Sequence, residues 1–531
     1  MNKIKSLQVF YNDKKVGTLA LTKNNIVAFE YDNEWLNNGF SISPYSLPLK
    51  KQVFIPKIDP FDGLYGVFSD SLPDGWGRLL VDRMLNSQNI NLREINVIDR
   101  LAIVGETGMG ALSYKPEYSL LENKDYQEDY DSLALSCKKI LNTEYSDDLD
   151  NLFRLGGSSG GARPKILTKF NNEDWIIKFP SSSDNKNIGK LEYLYSLCAK
   201  KCKINMPETK LFPSKISSGY FGVKRFDRKK SSTDTIRKVH MISVSELLET
   251  SHRIPNLDYN DLMQLTLNLT KSFEEVEKLF RLMCFNVFSY NRDDHSKNFS
   301  FIYNEEFEKW ELSPAYDLTY SYSINGEHAT TVNGNGVNPD LKDILKVAEN
   351  IGLDKKKAEN IATEIKEIVK KDLELFLLNK IEFPKGAYYE DLGTIYKLLL
   401  ASEKICSSNQ IYYCYFMRNE AAITKSWSLN KFSDMYHFYN EIFKAASKIL
   451  TDSLMLVKAY YNNGLVYLLM KLYEEGKENT DIYSTILKEL SKNKIPPNYL
   501  SGYSNHMKYI LYRVNFLKII AKLKVKLGKN R

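Results

Sequence analysis

The stretch SYNRDDHSKNFSFIYNEEFEKWELSPAYDLTYS, residues 289–321, decides how the chain is read. It gathers Asp293, His295, Lys297 and Asn298 in one short run, and Asp317 follows nineteen positions after Asn298. FNVF precedes the run and FSFIY follows it, more apolar sequence than a merely solvated loop would carry. Polar groups fixed at the ends of buried elements are where chemistry is usually mounted. Asp293 and Asn298 have the D-x-x-x-x-N spacing of a kinase catalytic loop, where the Asp orients or deprotonates the attacking hydroxyl and the Asn binds metal. Asp317, after the hairpin-like FSFIYNEEFEKWEL, offers a second metal-binding carboxylate. Mg²⁺ takes few protein oxygens beside phosphate oxygens, so one Asn and one Asp suffice. Alone, an Asp–Asn pair is more often a turn or cap. The upstream sequence has to decide.

Upstream, DWIIKFPS reads as a strand that carries Lys178 among apolar neighbours, and Glu192 lies fourteen residues on in the amphipathic helix NIGKLEYLYSLCAKKC. A strand lysine held by a glutamate of the next helix is how kinases place a cation on nucleotide phosphates. A single strand-edge lysine is ordinarily just solvated. GGSSGGARPK, residues 156–165, precedes it. Its glycines allow backbone N–H groups close to phosphate, and Ser158, Ser159, Arg163 and Lys165 add donors. It is not a Walker A loop, since no Gly-Lys-Ser/Thr follows the glycines. Gly/Ser loops are mostly flexible turns. The section reads as strand, glycine-rich turn, strand, turn, strand, which sets the loop where a phosphate cover belongs.

The 531 residues call for two to four domains. The chain is 43% hydrophobic with 35 Tyr and 26 Phe, a folded composition, and its net charge of +7 does not by itself call for nucleic acid. The basic charge concentrates at the end, where residues 508–531 hold eight Lys or Arg and no acid. Cys137, Cys198, Cys202, Cys284, Cys406 and Cys414 lack metal-site spacing and read as buried, reduced thiols. No signal-like segment or membrane-length apolar run is present, so a cytoplasmic location is expected.

Strand alternation opens the chain over residues 1–30, and GRLLVDRML after Asp74-Gly75 reads as a helix. A further strand is expected near GMGALSYKP, and an acidic boundary falls at about 120–150. From about 240 the pattern turns helical, beginning with ISVSELLE. LKDILKVAENIGLDKKKAENIATEIKEIVKKDLELFLL reads as two helices separated by a glycine. Beyond about 380 the sequence is nearly all helical, broken at SSNQ, SLNK, EEGKENTD and KNKIPPNYLSGYSNH.

These segments together resemble the HipA family of serine/threonine-kinase toxins from bacterial type II toxin–antitoxin systems. SDSLPDGWGRLLVDR, GGSSGGARPK, WIIKFP, VKRFDR, VHMISVSELL, NRDDHSKNF and LSPAYD are similar to successive family motifs in the right order. The match runs to about residue 375. The resemblance implies an α+β, two-lobed protein-kinase-like fold with Mg²⁺ and ATP between the lobes. It implies a β-rich N-terminal subdomain (1–120), an N-lobe-like section (150–240) and a helical C-lobe (241–376). Residues 377–531 form an all-helical extension that matches nothing in the family.

By motif, Asp293 would be the catalytic Asp, with His295 and Lys297 completing the loop. Asn298 and Asp317 would hold metal, and Lys178 would contact phosphates. VKRFDR would be the hinge, with the Lys224 and Phe226 backbones facing adenine and Asp227 a ribose or structural contact. Glu192, Ser158, Ser159, Gly160 and Gly161 complete the expected nucleotide site. In the family a serine at the start of the glycine-rich loop is autophosphorylated, which inactivates the kinase. Ser158 aligns best, with Ser159 its neighbour.

The implied substrate is a translation component of the aminoacyl-tRNA synthetase class. The implied partner is a helix-turn-helix antitoxin through which DNA is reached indirectly, and no membrane is involved. The basic C-terminal tail is either a solvated helix face or a dock for an acidic partner or nucleic acid. Two other readings remain: a catalytically silent nucleotide-binding or scaffold protein, and a metal-dependent phosphohydrolase. The second would leave Lys178 and the glycine-rich loop unused.

Overall fold

The computed structural model describes residues 4–120, 129–144, 146–182, 184–230, 235–321, 326–377, 428–449, 453–496, 503–513 and 516–528. Two compact units make up the chain, Met1–Glu374 and Leu375–Arg531.

In the first unit the opening alternation becomes β1 (Ser6–Tyr11), which buries Leu7, Val9 and Tyr11 on one face. β1 turns through Asn12-Asp13 into β2 (Lys14–Leu21), with Asn12 at φ 50°, a left-handed conformation that Asn tolerates. β3 (Val27–Tyr31), β4 (Val53–Phe54) and β5 (Leu112–Lys115) complete an antiparallel sheet in the order β4-β3-β2-β1-β5. Between β4 and β5 runs the helix Gly75–Ser87, which buries Trp76, Leu80, Val81, Met84 and Leu85.

A second antiparallel sheet contains β6 (Lys165–Phe170), β7 (Glu173–Lys178), β8 (Thr209–Phe212) and β9 (Tyr220–Lys224) in the order β6-β7-β9-β8. The β6–β7 turn is Asn171-Asn172, both left-handed at φ 52° and 60°, as a two-residue type I′ turn requires. Trp76 and Leu80 share one apolar cluster with Ile166, Trp175, Ile177 and Phe212. The N-terminal helix is therefore built into the core of this second sheet.

Two sequence expectations need correction. The segment ahead of the glycine-rich loop is a helix, Leu149–Gly156, rather than a strand. Leu149, Leu152 and Phe153 lie at helical spacing and pack on the same cluster, so tertiary burial overrides the strand-like reading. In ISVSELLE only Val244–Leu247 is helical. Met241–Ser243 is a strand paired with Ser300–Asn304, which in turn pairs with Lys309–Leu312.

The remainder of the first unit is mainly helical. Phe273–Phe288 is a long, largely buried helix, with Val276, Leu279, Phe280, Met283, Cys284 and Phe285 all inside. Leu341–Ile351 and Lys355–Leu377 flank Gly352, whose φ of 83° closes the first of them in the left-handed region.

The second unit contains the helices Leu429–Ile449, Leu454–Glu474, Asp481–Lys492, Tyr503–Arg513 and Leu517–Gly528. They close on Leu465, Leu468, Leu469, Leu472, Ile486, Leu490 and Tyr509. Part of the basic C-terminal charge is spent inside this unit, where Lys518 and Lys522 pair with Glu478 at 3.2 and 3.1 Å. Cys137, Cys198, Cys202 and Cys284 are buried free thiols. Cys406, Cys414 and the SSNQ break lie outside the described residues. No described helix is long and apolar enough to cross a membrane.

Candidate active site

One cavity of about 630 Å³ in the first unit is lined by every residue singled out above. Ser158 to Gly161 come from the glycine-rich loop, Lys178 and Glu192 from the second sheet and its helix, Lys224 from the end of β9 and Phe226 from the segment after it. Asp293, His295, Lys297, Asn298 and Asp317 come from the segment that opened the sequence reading.

Lys178 ends β7 and is directly opposite Lys165 of β6. Like charges facing across a sheet repel, and here carboxylates compensate. The Lys178 ammonium donates to Glu192 Oε1 at 2.5 Å and to Asp317 Oδ1. Burial alone would lower the Lys178 pKa, but Asp317 and Glu192 outweigh it and hold the group above its ordinary value. For the Asp317 carboxyl, burial opposes ionisation, yet Lys178 and Lys165 keep it well below the usual carboxylate range. Lys165 moves the other way, lowered by burial and by Lys178 despite the nearby acids. Asp317 also has φ 54°, a left-handed conformation costly for a side-chain-bearing residue and characteristic of functional sites.

Asp293 follows the long Phe273–Phe288 helix and stands 3.8 Å from His295 Nε2. Burial pushes its carboxyl up, His295 opposes this, and Asp317 and Asp294 add to it. Asn298 Nδ2 donates to the Asp293 carbonyl at 2.6 Å, which leaves its Oδ1 as the atom to offer a cation. Beneath this loop the buried Asp294 accepts from Tyr259 at 2.9 Å, from the Thr330 N–H at 3.2 Å and bonds His328 Nδ1 at 2.9 Å. That network fixes the backbone next to Asp293.

The end of β9 and the segment after it separate two jobs. Phe226 stacks on Tyr316, ring centroids 5.9 Å apart, beside Ile176 and Val223 in the cavity wall. The Lys224 side chain turns to Glu173 at 2.5 Å, so only its backbone is available to the cavity. Asp227 is a structural contact: its carboxylate accepts from Arg225 at 2.9 and 2.7 Å, Arg228 at 2.8 Å and the Gly110 N–H at 2.7 Å.

The two loop serines also differ. Ser158 is half-buried and donates to the Thr107 carbonyl at 3.0 Å, whereas Ser159 is buried and donates to the Gly156 carbonyl at 2.6 Å. Among the described residues, His295 Nδ1 and Thr319 Oγ1 in the cavity lining are buried without a hydrogen-bond partner. Such orphaned groups suit a site that takes a polar ligand. Asp70 and Asp74 also line the cavity, and Glu246 stands behind them, 3.3 Å from the Lys297 ammonium; sequence reasoning gave none of the three a role in the site.

Family models match twice: the HipA N-terminal domain over residues 7–115 and the HipA-like C-terminal domain over residues 157–373. The curated protein Y4mE of Sinorhizobium fredii, whose name assigns it provisionally to the kinases, is 24% identical over 347 residues. That span is 59% of this chain and 77% of the relative. Among solved structures, HipA of Shewanella oneidensis MR-1, in a complex with HipB and operator DNA, superposes with a TM-score of 0.53 at 17% identity. The alignment covers 74% of this chain and 96% of that one, a likeness of fold.

Proposed function

The chain belongs to the HipA family, and from that premise we propose that it is a Mg²⁺- and ATP-dependent protein serine/threonine kinase acting as a toxin. The observation that carries the reading is the convergence of Lys178, Glu192, Asp293, Asn298 and Asp317 on one cavity beneath a glycine-rich loop. These groups come from two separate stretches of sequence, Lys178–Glu192 and Asp293–Asp317. A phosphohydrolase would not require the buried Lys178–Glu192 pair at 2.5 Å.

In this reading the apolar wall of Ile176, Val223 and Phe226 receives the base, and the backbone of Lys224 and Phe226 recognises its edge. Lys178, fixed by Glu192, holds phosphate oxygens, and the glycine-rich loop covers them. Asn298 Oδ1 and the ionised Asp317 are the protein oxygens that fit a magnesium ion; bound there, it would neutralise β- and γ-phosphate charge. Asp293 accepts the proton of a serine or threonine hydroxyl as its oxygen bonds to the γ-phosphorus. The bond from that phosphorus to the β–γ bridging oxygen breaks, and ADP leaves. The upward shift at Asp293 brings it closer to the range of a working base.

Autoregulation fits Ser158 better than Ser159, since Ser158 is only partly buried and Ser159 is enclosed. The expected substrate is an aminoacyl-tRNA synthetase, and the expected partner is a helix-turn-helix antitoxin that links the toxin to operator DNA. To test the substrate class, purified synthetases are incubated with the protein and labelled ATP. Label on one synthetase supports the class. Labelled kinase with every synthetase unlabelled would overturn the substrate assignment and leave the kinase standing.

A further inference from the structure

We infer that the Asp74–Gly75 corner of the N-terminal subdomain is a clasp that holds the glycine-rich loop over the cavity, with Asp74 as positioning residue for both the loop and Lys297. The inference rests on the phosphate-binding reading of that loop.

Asp74 stands at the start of the thirteen-residue helix Gly75–Ser87, where an Asp normally caps the helix's own N–H groups. It caps none of them. Its Oδ1 instead accepts the Gly161 N–H, and its Oδ2 takes the Lys297 ammonium at 3.0 Å. The Gly161 carbonyl returns the contact by accepting the Trp76 N–H at 2.9 Å. The two segments thus exchange a reciprocal pair of bonds across 87 residues of sequence.

Sterics require the same corner. Gly75 has φ 42°, and a Cβ there would lie 2.5 Å from Gly161 O and 2.9 Å from Ala162 Cα. A Cβ on Gly77 would collide with the Ser159 carbonyl. Glycine at both positions allows the helix start to press on the loop backbone. From Asp74 the connection continues through Lys297 to Glu246 at 3.3 Å, and Glu246 is held by the hydroxyls of Ser243 and Ser245. Lys297 adjoins Asn298, so loop closure and the metal-binding side of the cavity share one charged chain. Burial opposes ionisation of Asp74, but Lys297 and the Gly161 N–H prevail and keep it a carboxylate.

Amide hydrogen exchange on the full chain without nucleotide tests the clasp directly. In Asp74→Ala, exchange at Gly161 and Trp76 should rise by about tenfold or more, the effect of losing a hydrogen bond to a charged group. Protection around Leu80 and Trp175 should stay as in wild type, which separates positioning from general loosening. MgATP affinity of the variant, read by titration with a fluorescent analogue, should fall by about tenfold as well. Unchanged exchange at Gly161 and Trp76 would overturn the clasp. Should Asp74→Ala fail to fold, the isosteric Asp74→Asn carries the test, with Gly161 exchange raised about threefold by its weaker acceptor; wild-type exchange there would equally overturn it. A wild-type protein that binds no MgATP would contradict the proposed function while leaving the exchange result to judge the clasp.

Discussion

Asp70 shows how far a single residue in this cavity departs from its solution behaviour. Burial pushes its carboxyl up to about 7, Glu246 adds to this, and Lys297 and the Ser243 N–H oppose it. The folded protein therefore keeps a proton that the unfolded chain releases near the ordinary value of 3.8. For an acid whose folded value is raised, stability falls as pH rises between the two values and is level above the higher one. Asp70→Asn should consequently melt with wild type near pH 4 and above it at pH 8. Melting curves at the two pH values check this; equal curves at pH 8 would remove the argument. His240 carries the opposite sign of shift, its imidazole lowered to about 4 by burial. It is a base held neutral, so its contribution is present above pH 6.5 and lost as pH falls toward 4. Asp70 gains over the same window and opposes this loss, so the His240 contribution is read by comparison. Between pH 6.5 and 4, His240→Asn should lose less stability than wild type in melting curves.

At the scale of elements, legibility followed the range over which the signal acts. The Asn171-Asn172 hairpin, the Lys178 strand and the Glu192 helix are local, and alternation or turn chemistry reveals them. The Leu149–Gly156 helix was hidden because its glycine-rich sequel reads as a hairpin turn, while the apolar cluster that stabilises it comes from distant strands. Asp74 was hidden for a similar reason: PDGWG announces a helix start, and nothing local says that its carboxylate reaches Gly161. In the second unit, Gly464 marks another approach of this kind. A Cβ there would meet the Tyr439 ring at 2.5 Å, so the helices Leu429–Ile449 and Leu454–Glu474 pack at a distance only glycine permits. Gly464→Ala should destabilise this unit by about 1–3 kcal/mol, the usual cost of overpacking. Chemical denaturation of the full chain would show it as an earlier loss of the second unit's helical signal.

For the molecule as a whole, the N-terminal subdomain belongs to the catalytic body of the first unit. The buried Asp227 joins Arg225 and Arg228 to Gly110, and both arginines also donate to the Gly108 carbonyl. Arg225 and Arg228 hold Asp227 down to about 2 against its burial, so the contribution is full above pH 3.8 and lost as pH falls through about 2. Asp227→Ala would leave two buried guanidinium groups without their anion, and should cost about 3–5 kcal/mol in denaturant unfolding. A cost below about 1 kcal/mol, typical of exposed pairs, would mean the triad is not the tie that its burial indicates.

The central claim is that the cavity transfers phosphate. The measurement is incubation of the dephosphorylated protein with Mg²⁺ and γ-labelled ATP, with the label located by mass spectrometry and Asp293→Ala run in parallel. The account predicts phosphate on Ser158 in wild type and a loss of at least about 100-fold in the variant, as expected for removal of a catalytic acid–base group. Absence of transfer from wild type shown to bind MgATP, or equal labelling with Asp293 removed, would contradict it.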